Sequence, residues 1–134
     1  MKLELTRKSD LAVRALLELH RRGRTVKASE MAEAIGSTPG LVPHVMGPLV
    51  QAGWATSVPG PHGGYRLLVH PEKISVLSVI EAIEGPVRTD VCVLRGGPCH
   101  AEGVCALHAP WTEARTALLD SLAHTPIDST REGT

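Results

Sequence analysis

All three cysteines of the chain lie in one short stretch near its end, and a histidine follows the last of them. They are Cys92, Cys99 and Cys105, with His108 three residues further on, which gives the spacing C-x6-C-x5-C-x2-H. The gaps contain glycines and a proline, which favour a loop that wraps round a ligand. Thiolates on such a loop suit an iron–sulfur cluster or zinc.

Three cysteines in one loop could also form a disulfide, bind zinc or remain inert. A disulfide would leave one thiol over, and the N-terminus does not resemble a secretion signal that leads to an oxidising compartment. Zinc sites prefer C-x2-C pairs, and neither gap is that short. Buried inert cysteines are common, but the intervening residues are too glycine-rich and polar for a core. Spacing alone favours an iron–sulfur loop and leaves these alternatives open.

The charge is unevenly distributed along a chain whose formal net charge is zero. Residues 1–75 hold ten lysines and arginines against six acidic residues, whereas residues 76–134 hold four against eight. A basic half favours an anionic partner, and we expect this partner to be nucleic acid. The alternative is an ordinary solvated surface, because the excess is small.

The apolar residues must build a core with few aromatic rings. They make up 43% of 134 residues, and among them are no Phe, one Tyr and two Trp. We hypothesise that such a core is completed by dimerisation. No apolar run approaches the ~20 residues of a membrane span, and no signal peptide is evident. We therefore expect a cytoplasmic protein with no membrane partner.

Three helices are predicted in the first fifty residues. Apolar residues at helical spacing place them at about 9–21, at about 28–35, and from Thr38-Pro39 to about Gln51. Thr38 is a suitable N-cap, and Pro39 suits the first helical position. Because Gly36 allows a tight turn between the second and third helices, the pattern is typical of a helix-turn-helix.

A β-hairpin is predicted directly after the third helix. Its strands lie at about 54–58 and 65–69, on either side of Pro59-Gly60-Pro61-His62-Gly63-Gly64. A glycine-rich hairpin in this position is a wing, which indicates a winged helix.

Two further helices are predicted, from Ser75 to about Glu84 and over about 110–123. The last one carries an apolar stripe made of Trp111, Ala114, Ala117, Leu118 and Leu122. Little chain remains to cover this stripe, so we expect it to pack against a second copy of the chain. The tail from Thr125 onward is polar and is predicted to be frayed.

Four motifs in this order resemble the Rrf2 family of bacterial transcriptional regulators. They are Leu5-Thr6-Arg7-Lys8-Ser9-Asp10, the wing at 60–67, Glu81-Ala82-Ile83-Glu84-Gly85, and the run from Cys105 to Trp111. The resemblance covers about residues 3–125 and implies a homodimer that binds double-stranded DNA. The implied fold is mainly α with a small hairpin: a winged helix-turn-helix domain over 1–75, then a helix, the cysteine loop (92–108) and a dimerisation helix (110–123) over 76–134.

The resemblance also implies that Cys92, Cys99 and Cys105 hold an iron–sulfur cluster, whose fourth ligand has two candidates. His108 sits where some members carry a histidine ligand of a 2Fe–2S cluster. Asp10 of the partner subunit sits where others carry the aspartate of a 4Fe–4S cluster. A weak non-thiolate ligand would expose one corner of the cluster to oxygen or nitric oxide, which implies a redox sensor. The ordinary alternative for Asp10 is a favourable charge near a helix N-terminus.

The same resemblance implies which residues face DNA, with His44 as the reader of base edges and the glycines letting the wing approach phosphates. The expected set is Lys2, Arg7, Lys8, Lys27, Thr38, His44, His62, Gly63, Gly64 and Arg66. The third helix departs from the family pattern, because it contains Pro43 and Pro48 and no Lys or Arg. Each proline is expected to kink the helix or to cost about 3 kcal/mol in its interior. In the wing, Pro59 stands where relatives usually carry Arg.

An enzyme is not expected, because no histidine–carboxylate set accompanies a single cysteine. The alternative that remains is a cluster-free regulator of the same fold, whose cysteines sense oxidants through thiol chemistry.

Overall fold

The computed structural model describes residues 1–94 and 105–131 of the chain. Within these ranges the helices are α1 (Arg7–Arg22), α2 (Ala28–Ile35), α3 (Val42–Gln51), α4 (Val76–Glu84) and α5 (His108–Ala123). The strands are β1 (Ala55–Val58) and β2 (Gly64–Leu67), and two short 3-10 turns lie at Pro71–Lys73 and Ile127–Arg131. The predicted fold class, a mainly α winged helix-turn-helix with a small hairpin and a long C-terminal helix, is confirmed.

Helix α1 is the centre of the core, and it begins at Arg7, two residues before the predicted start near Ser9. The Thr6 hydroxyl accepts the Ser9 N–H at 3.2 Å, and Gly23 ends the helix in the left-handed conformation at φ 63°. Helices α2, α3 and α4 all pack against α1. The fully buried larger side chains of this core are aliphatic: Leu11, Leu16, Leu19, Met31, Met46, Leu49, Ile74, Ile127, Val26, Val42, Val45 and Val79.

Helix α3 begins four residues later than the predicted N-cap Thr38, at Val42. Thr38 is instead the first residue of a turn, closed by a hydrogen bond of 3.1 Å from the Leu41 N–H to its carbonyl. The Pro39-Gly40 pair explains the difference, because Pro followed by Gly favours a turn over a first helical turn. The predicted roles of Thr38 as N-cap and of Pro39 as first helical residue are therefore wrong.

The two prolines of α3 are in different positions. Pro43 lies in the first turn, where its missing N–H would have no partner within the helix. Pro48 lies in the interior, so the carbonyl of His44 loses its usual N–H partner. The helix nevertheless continues, and the Ala52 N–H donates to the Pro48 carbonyl at 2.9 Å. Gly47 helps here, since it has no Cβ to meet the proline ring.

Strands β1 and β2 form an antiparallel wing in which Ala55 faces Leu67 and Val58 faces Gly64. A third segment joins them from the connection between α1 and α2. The Val26 N–H donates to the Tyr65 carbonyl at 2.8 Å, and the Tyr65 N–H donates to the Val26 carbonyl at 2.9 Å. The predicted hairpin is confirmed, and this pair of hydrogen bonds fixes its base to the helical core.

The segment that follows α5 is not frayed over 125–131, so that part of the prediction for the tail is wrong. Ile127 is fully buried, and its N–H donates to the Ile74 carbonyl at 2.9 Å. The Val76 N–H donates to the Thr125 carbonyl at 2.8 Å. One isoleucine in a polar segment is a weak signal in the sequence, yet it is enough to dock the segment on the core. Residues 132–134 lie outside the described part.

None of the helices in the described ranges combines the length and the apolar content that crossing a bilayer requires.

Candidate cluster site and nucleic-acid interface

Two of the three cysteines meet at the start of α5. The sulfur atoms of Cys92 and Cys105 are 3.7 Å apart, although thirteen residues separate them in the chain. Two thiolates that bind one tetrahedral metal ion at about 2.3 Å each would lie about 3.8 Å apart. A disulfide needs about 2.05 Å. The observed separation fits two sulfur ligands of a single metal ion and also fits a reduced thiol pair.

His108 is beside this pair. It is the first residue of α5, and its backbone N–H donates to the Cys105 carbonyl at 3.0 Å. The cleft that Cys92 and Cys105 line is also lined by His108, Trp111 and Arg115. Cys92 is buried, at 5% exposure, whereas Cys105 is half-buried and His108 is exposed. The chain therefore brings two sulfurs together at a cleft that His108 also lines.

The remaining predicted ligands are elsewhere. Cys99 lies outside the described residues. Asp10 lines a different cavity, a groove of about 790 Å³ that Asp128 also lines. There its carboxylate accepts a hydrogen bond of 3.1 Å from the Arg14 Nε, so within one chain Asp10 has the structural role of an i,i+4 ion pair. Its predicted role as a ligand concerns the partner subunit and stays a prediction.

A side chain that the sequence did not single out as functional connects the cysteine region to α1. The Glu84 carboxylate accepts the Ser9 hydroxyl at 2.5 Å and the Thr6 hydroxyl at 3.1 Å. Glu84 is the last residue of α4, immediately before the chain that leads to Cys92. Glu84 belongs to the Glu81–Gly85 motif, which could have identified it as a functional residue. The sequence does not indicate which hydroxyls it binds.

The outer face of α3 is the candidate reading surface, and it is unusually poor in charge. Its exposed residues include Pro43, His44, Gly47 and Gln51. His44 and Gln51 are the polar side chains among these, and they are seven residues apart, which places both on one helical face. Gln51 was missed as a candidate, although helical spacing from His44 would have identified it.

Every non-glycine side chain of the predicted DNA-binding set is exposed: Lys2, Arg7, Lys8, Lys27, Thr38, His44, His62 and Arg66. Arg7 is also held in place, because its guanidinium donates to the Gly36 carbonyl at 3.2 Å. This contact brings a basic group to the turn between α2 and α3. The role of these residues in binding DNA stays a prediction.

The two wing glycines are required by the chain's own backbone. A Cβ on Gly63 would lie 2.0 Å from the Val58 carbonyl oxygen, and one on Gly64 would lie 2.1 Å from that of Val26. Gly64 in addition has φ 154°. Both glycines are half-buried. Close packing against the chain's own backbone is therefore sufficient to require glycine at both positions, without any contact with phosphate.

The arginines and glutamates at the corner between α1 and α2 form ion pairs with one another. Arg22 bridges Glu18 at 2.7 Å and Glu30 at 2.9 Å, and Arg24 binds Glu30 at 2.8 Å. Hydrogen bonds from Arg24 and from the Lys27 N–H, with the charges of Arg24 and Arg22, lower the pKa of Glu30 to about 2. The hydrogen bond from Arg21, followed by that from Arg22, lowers the pKa of Glu18. Several basic residues of the first half thus stabilise the fold.

Comparisons with known proteins agree with this architecture. The sequence model of the Rrf2 family, described as iron-dependent transcriptional regulators, matches residues 5–130. A protein of Rhodobacter capsulatus, described as an rrf2-like HTH-type transcriptional regulator, is 30% identical over 131 residues, which cover 88% of this chain and 87% of that protein. The regulator IscR of Aliivibrio salmonicida is 33% identical over 113 residues, or 83% of this chain and 67% of IscR.

A solved structure gives the same result for the fold. CymR, the global cysteine regulator of B. subtilis, superposes with a TM-score of 0.77 over 99% of both chains at 21% identity. At this identity the likeness concerns the fold alone.

Proposed function

The chain belongs to the Rrf2 family of transcriptional regulators, and on that premise we propose that it is a homodimeric regulator whose affinity for DNA depends on an iron–sulfur cluster in its cysteine loop. The observation that carries the proposal is the convergence of Cys92, Cys105 and His108 on one cleft. Cys99 is the third thiolate that the proposal requires.

The separation of the sulfurs supports a 2Fe–2S cluster in particular. Four protein ligands shared by two irons give two ligands to each iron, whereas in a 4Fe–4S cluster each iron has one. Sulfurs 3.7 Å apart suit two ligands of the same iron. His108 lines the same cleft, and we propose it as the fourth ligand, in agreement with the histidine-ligated pattern. Asp10 of the partner subunit remains the alternative fourth ligand.

When bound, the cluster supplies a centre that oxygen, nitric oxide or loss of iron alters. The chain's own contribution is to connect this centre to the DNA-binding surface. Glu84 holds the end of α4 to Ser9 and Thr6 at the start of α1, next to Arg7 and Lys8. A shift of the loop would therefore act on the basic groups at the start of α1, and a coupling of about 1–3 kcal/mol suffices for a ~5–150-fold change in affinity.

The exposed stripe of α5 supports a homodimer. No residue of this 16-residue helix is buried in the single chain, and Leu118 is 48% exposed. Leu122 and Trp111 are half-buried by their own chain, whereas Ala114, Ala117 and Leu118 are exposed. A second copy that packs on this stripe would set the distance between two α3 helices, as binding of two half-sites about 34 Å apart requires.

The proposal is tested on protein purified without oxygen. We expect the purified protein to be brown and to contain iron and acid-labile sulfide in a fixed ratio to protein. We also expect its affinity for operator DNA to change on exposure to air or nitric oxide. A Cys105→Ser variant should lose the chromophore and the response, while Ser121→Ala, an exposed substitution on α5, should keep both. Colourless protein whose DNA binding is unchanged by Cys105→Ser would overturn the proposal of an iron–sulfur cluster. The proposal of a DNA-binding regulator would remain.

A second function is favoured by the same 3.7 Å separation. A thiolate of the pair attacks a peroxide to give sulfenic acid, and the other thiol then displaces water to form a disulfide. In this case protein without iron would bind DNA only when reduced, and mass spectrometry would find Cys92 joined to Cys105 after treatment with hydrogen peroxide.

A further inference from the structure

A second group of metal-ligating side chains lies away from the cysteine loop. His70, Glu72 and Asp128 each offer one ligand atom, and these three atoms lie within 4.8 Å of one another. His70 caps the Pro71–Lys73 turn that follows the wing, and Asp128 lies in the first part of the Ile127–Arg131 turn that follows α5. Two segments that are distant in sequence therefore contribute to one cluster.

These two turns are held together before any ion binds. The Ile127 N–H donates to the Ile74 carbonyl at 2.9 Å, and the Val76 N–H donates to the Thr125 carbonyl at 2.8 Å. Ile74 and Ile127 are both buried, at 1% and 0% exposure. The ligating residues thus stand on a rigid base, while the Glu72 side chain is exposed and that of Asp128 is half-buried.

The surroundings of the cluster favour a cation. Neither Glu72 nor Asp128 takes part in an ion pair within the described residues. A second imidazole stands next to the first, because the His20 ring, from α1, meets the His70 ring edge to face with centroids 4.5 Å apart. One imidazole and two carboxylates from two turns make a donor set that borderline divalent ions such as zinc accept, and the His20 ring packs against the imidazole.

We propose that His70, Glu72 and Asp128 bind Zn²⁺. Donors on a tetrahedral zinc ion lie about 3.4 Å apart, so rotation of the two carboxylate side chains brings the three atoms into range. The His70 Nδ1 accepts the Glu72 N–H at 3.1 Å, and zinc bound at Nδ1 would take the place of that N–H. The bound ion joins the turn after the wing to the turn after α5.

The test is a Zn²⁺ titration of the full chain, followed by NMR of ¹⁵N-labelled histidine rings. This readout separates the site from the cysteine loop, because zinc bound there would act on His108. We expect the His70 ring signals to shift and to saturate, and the His108 signals report any equivalent of zinc that the cysteine loop takes first. Asp128→Asn and Glu72→Gln should each weaken binding by at least about 10-fold, since loss of a direct ligand costs no less than loss of an outer-shell partner, and Glu113→Gln, an exposed change on α5, should not.

Two results would overturn the site: His70 signals that do not move at millimolar Zn²⁺, or unchanged affinity in both carboxylate variants. Melting temperatures without zinc identify any loss of folding in Asp128→Asn. Glu72→Gln alters an exposed side chain and keeps the test decisive in that event.

Discussion

The hydroxyl of Ser9 donates a hydrogen bond of 2.5 Å to the carboxylate of Glu84 and so joins the start of α1 to the end of α4. Ser9 is completely buried, and it is the one buried polar residue in the described part of the chain. The segment that leads to Cys92 begins directly after Glu84. The Ser9–Glu84 contact therefore joins α1 to the helix that leads into the candidate cluster site.

Replacing Ser9 with alanine should destabilise the protein by about 1.5–3 kcal/mol, because a hydrogen bond from a buried hydroxyl to a charged group is lost. Chemical denaturation would measure the change in the free energy of unfolding. Ser57→Ala on the exposed side of β1 is the matched control and should change stability by less than about 0.5 kcal/mol. Equal effects of the two substitutions would contradict the importance of the contact.

The identity of the fourth cluster ligand can be decided with three variants. His108→Ala should alter the visible spectrum of anaerobic protein and speed loss of the cluster, because a nitrogen ligand is removed. Asp10→Ala should leave the spectrum unchanged. Arg14→Ala breaks the same Asp10–Arg14 ion pair but keeps the carboxylate, and it controls for the structural effect. A spectrum that responds to Asp10→Ala and not to Arg14→Ala or His108→Ala would assign the ligand to Asp10 of the partner subunit.

Pro48→Ala should stabilise the protein by about 1–3 kcal/mol, because it restores an N–H to the interior of α3 and removes the conflict of the ring with the preceding turn. The measurement is the midpoint of urea unfolding. Pro43→Ala provides the control, since the first-turn N–H that it restores has no acceptor in the helix. An equal gain from both substitutions would show that the interior position of Pro48 is not the cause.

Leu118→Asp should convert the proposed dimer to a monomer, because it places a charge in the apolar stripe of α5. Sedimentation velocity would detect the change in mass. Leu68→Asp is a suitable comparison, since Leu68 is similarly exposed, at 53%, but lies after the wing. A dimer that persists in Leu118→Asp would place the interface elsewhere.

Acid should weaken the corner between α1 and α2. The folded pKa of Glu30 is about 2, below its ordinary value of 4.5, so its contribution to stability is present above about pH 4.5 and is lost as the pH falls toward 2. The carboxylate is partly exposed, and solvent screens the effect. Glu30→Gln should therefore flatten the fall of the urea midpoint over this range, whereas Glu33→Gln, one turn of α2 away, should follow the unaltered protein.

The elements were predictable where local rules determine them. Gly23, Gly36 and Ser75 mark helix ends by capping chemistry, and the structure has helix ends at these residues, whereas the cap at Thr6 was missed. The start of α3 does not follow from Thr38 alone, because Pro39 suits the first helical position whereas Pro39 followed by Gly40 favours a turn. The helix begins at Val42, and the side chains of Val42 and Val45 are buried in the core, which is a tertiary effect.

The candidate site was predictable in composition but not in geometry. The spacing of Cys92, Cys105 and His108 indicated ligands, yet the 3.7 Å between the sulfurs depends on how α5 begins beside the segment after α4. The partners of Glu84 and the association of His70 with Asp128 were not predictable at all. Both join residues more than fifty positions apart, and no local pattern reports such contacts.

The burial of Ile127 has a consequence for how the protein is made. On the ribosome, the helices and wing of the first 75 residues emerge well before the isoleucine that covers Ile74. A nascent chain therefore cannot finish packing its reading half until the cysteine loop and α5 have been synthesised. Newly made protein would complete the core of its DNA-binding domain only after the cysteine loop and α5 exist.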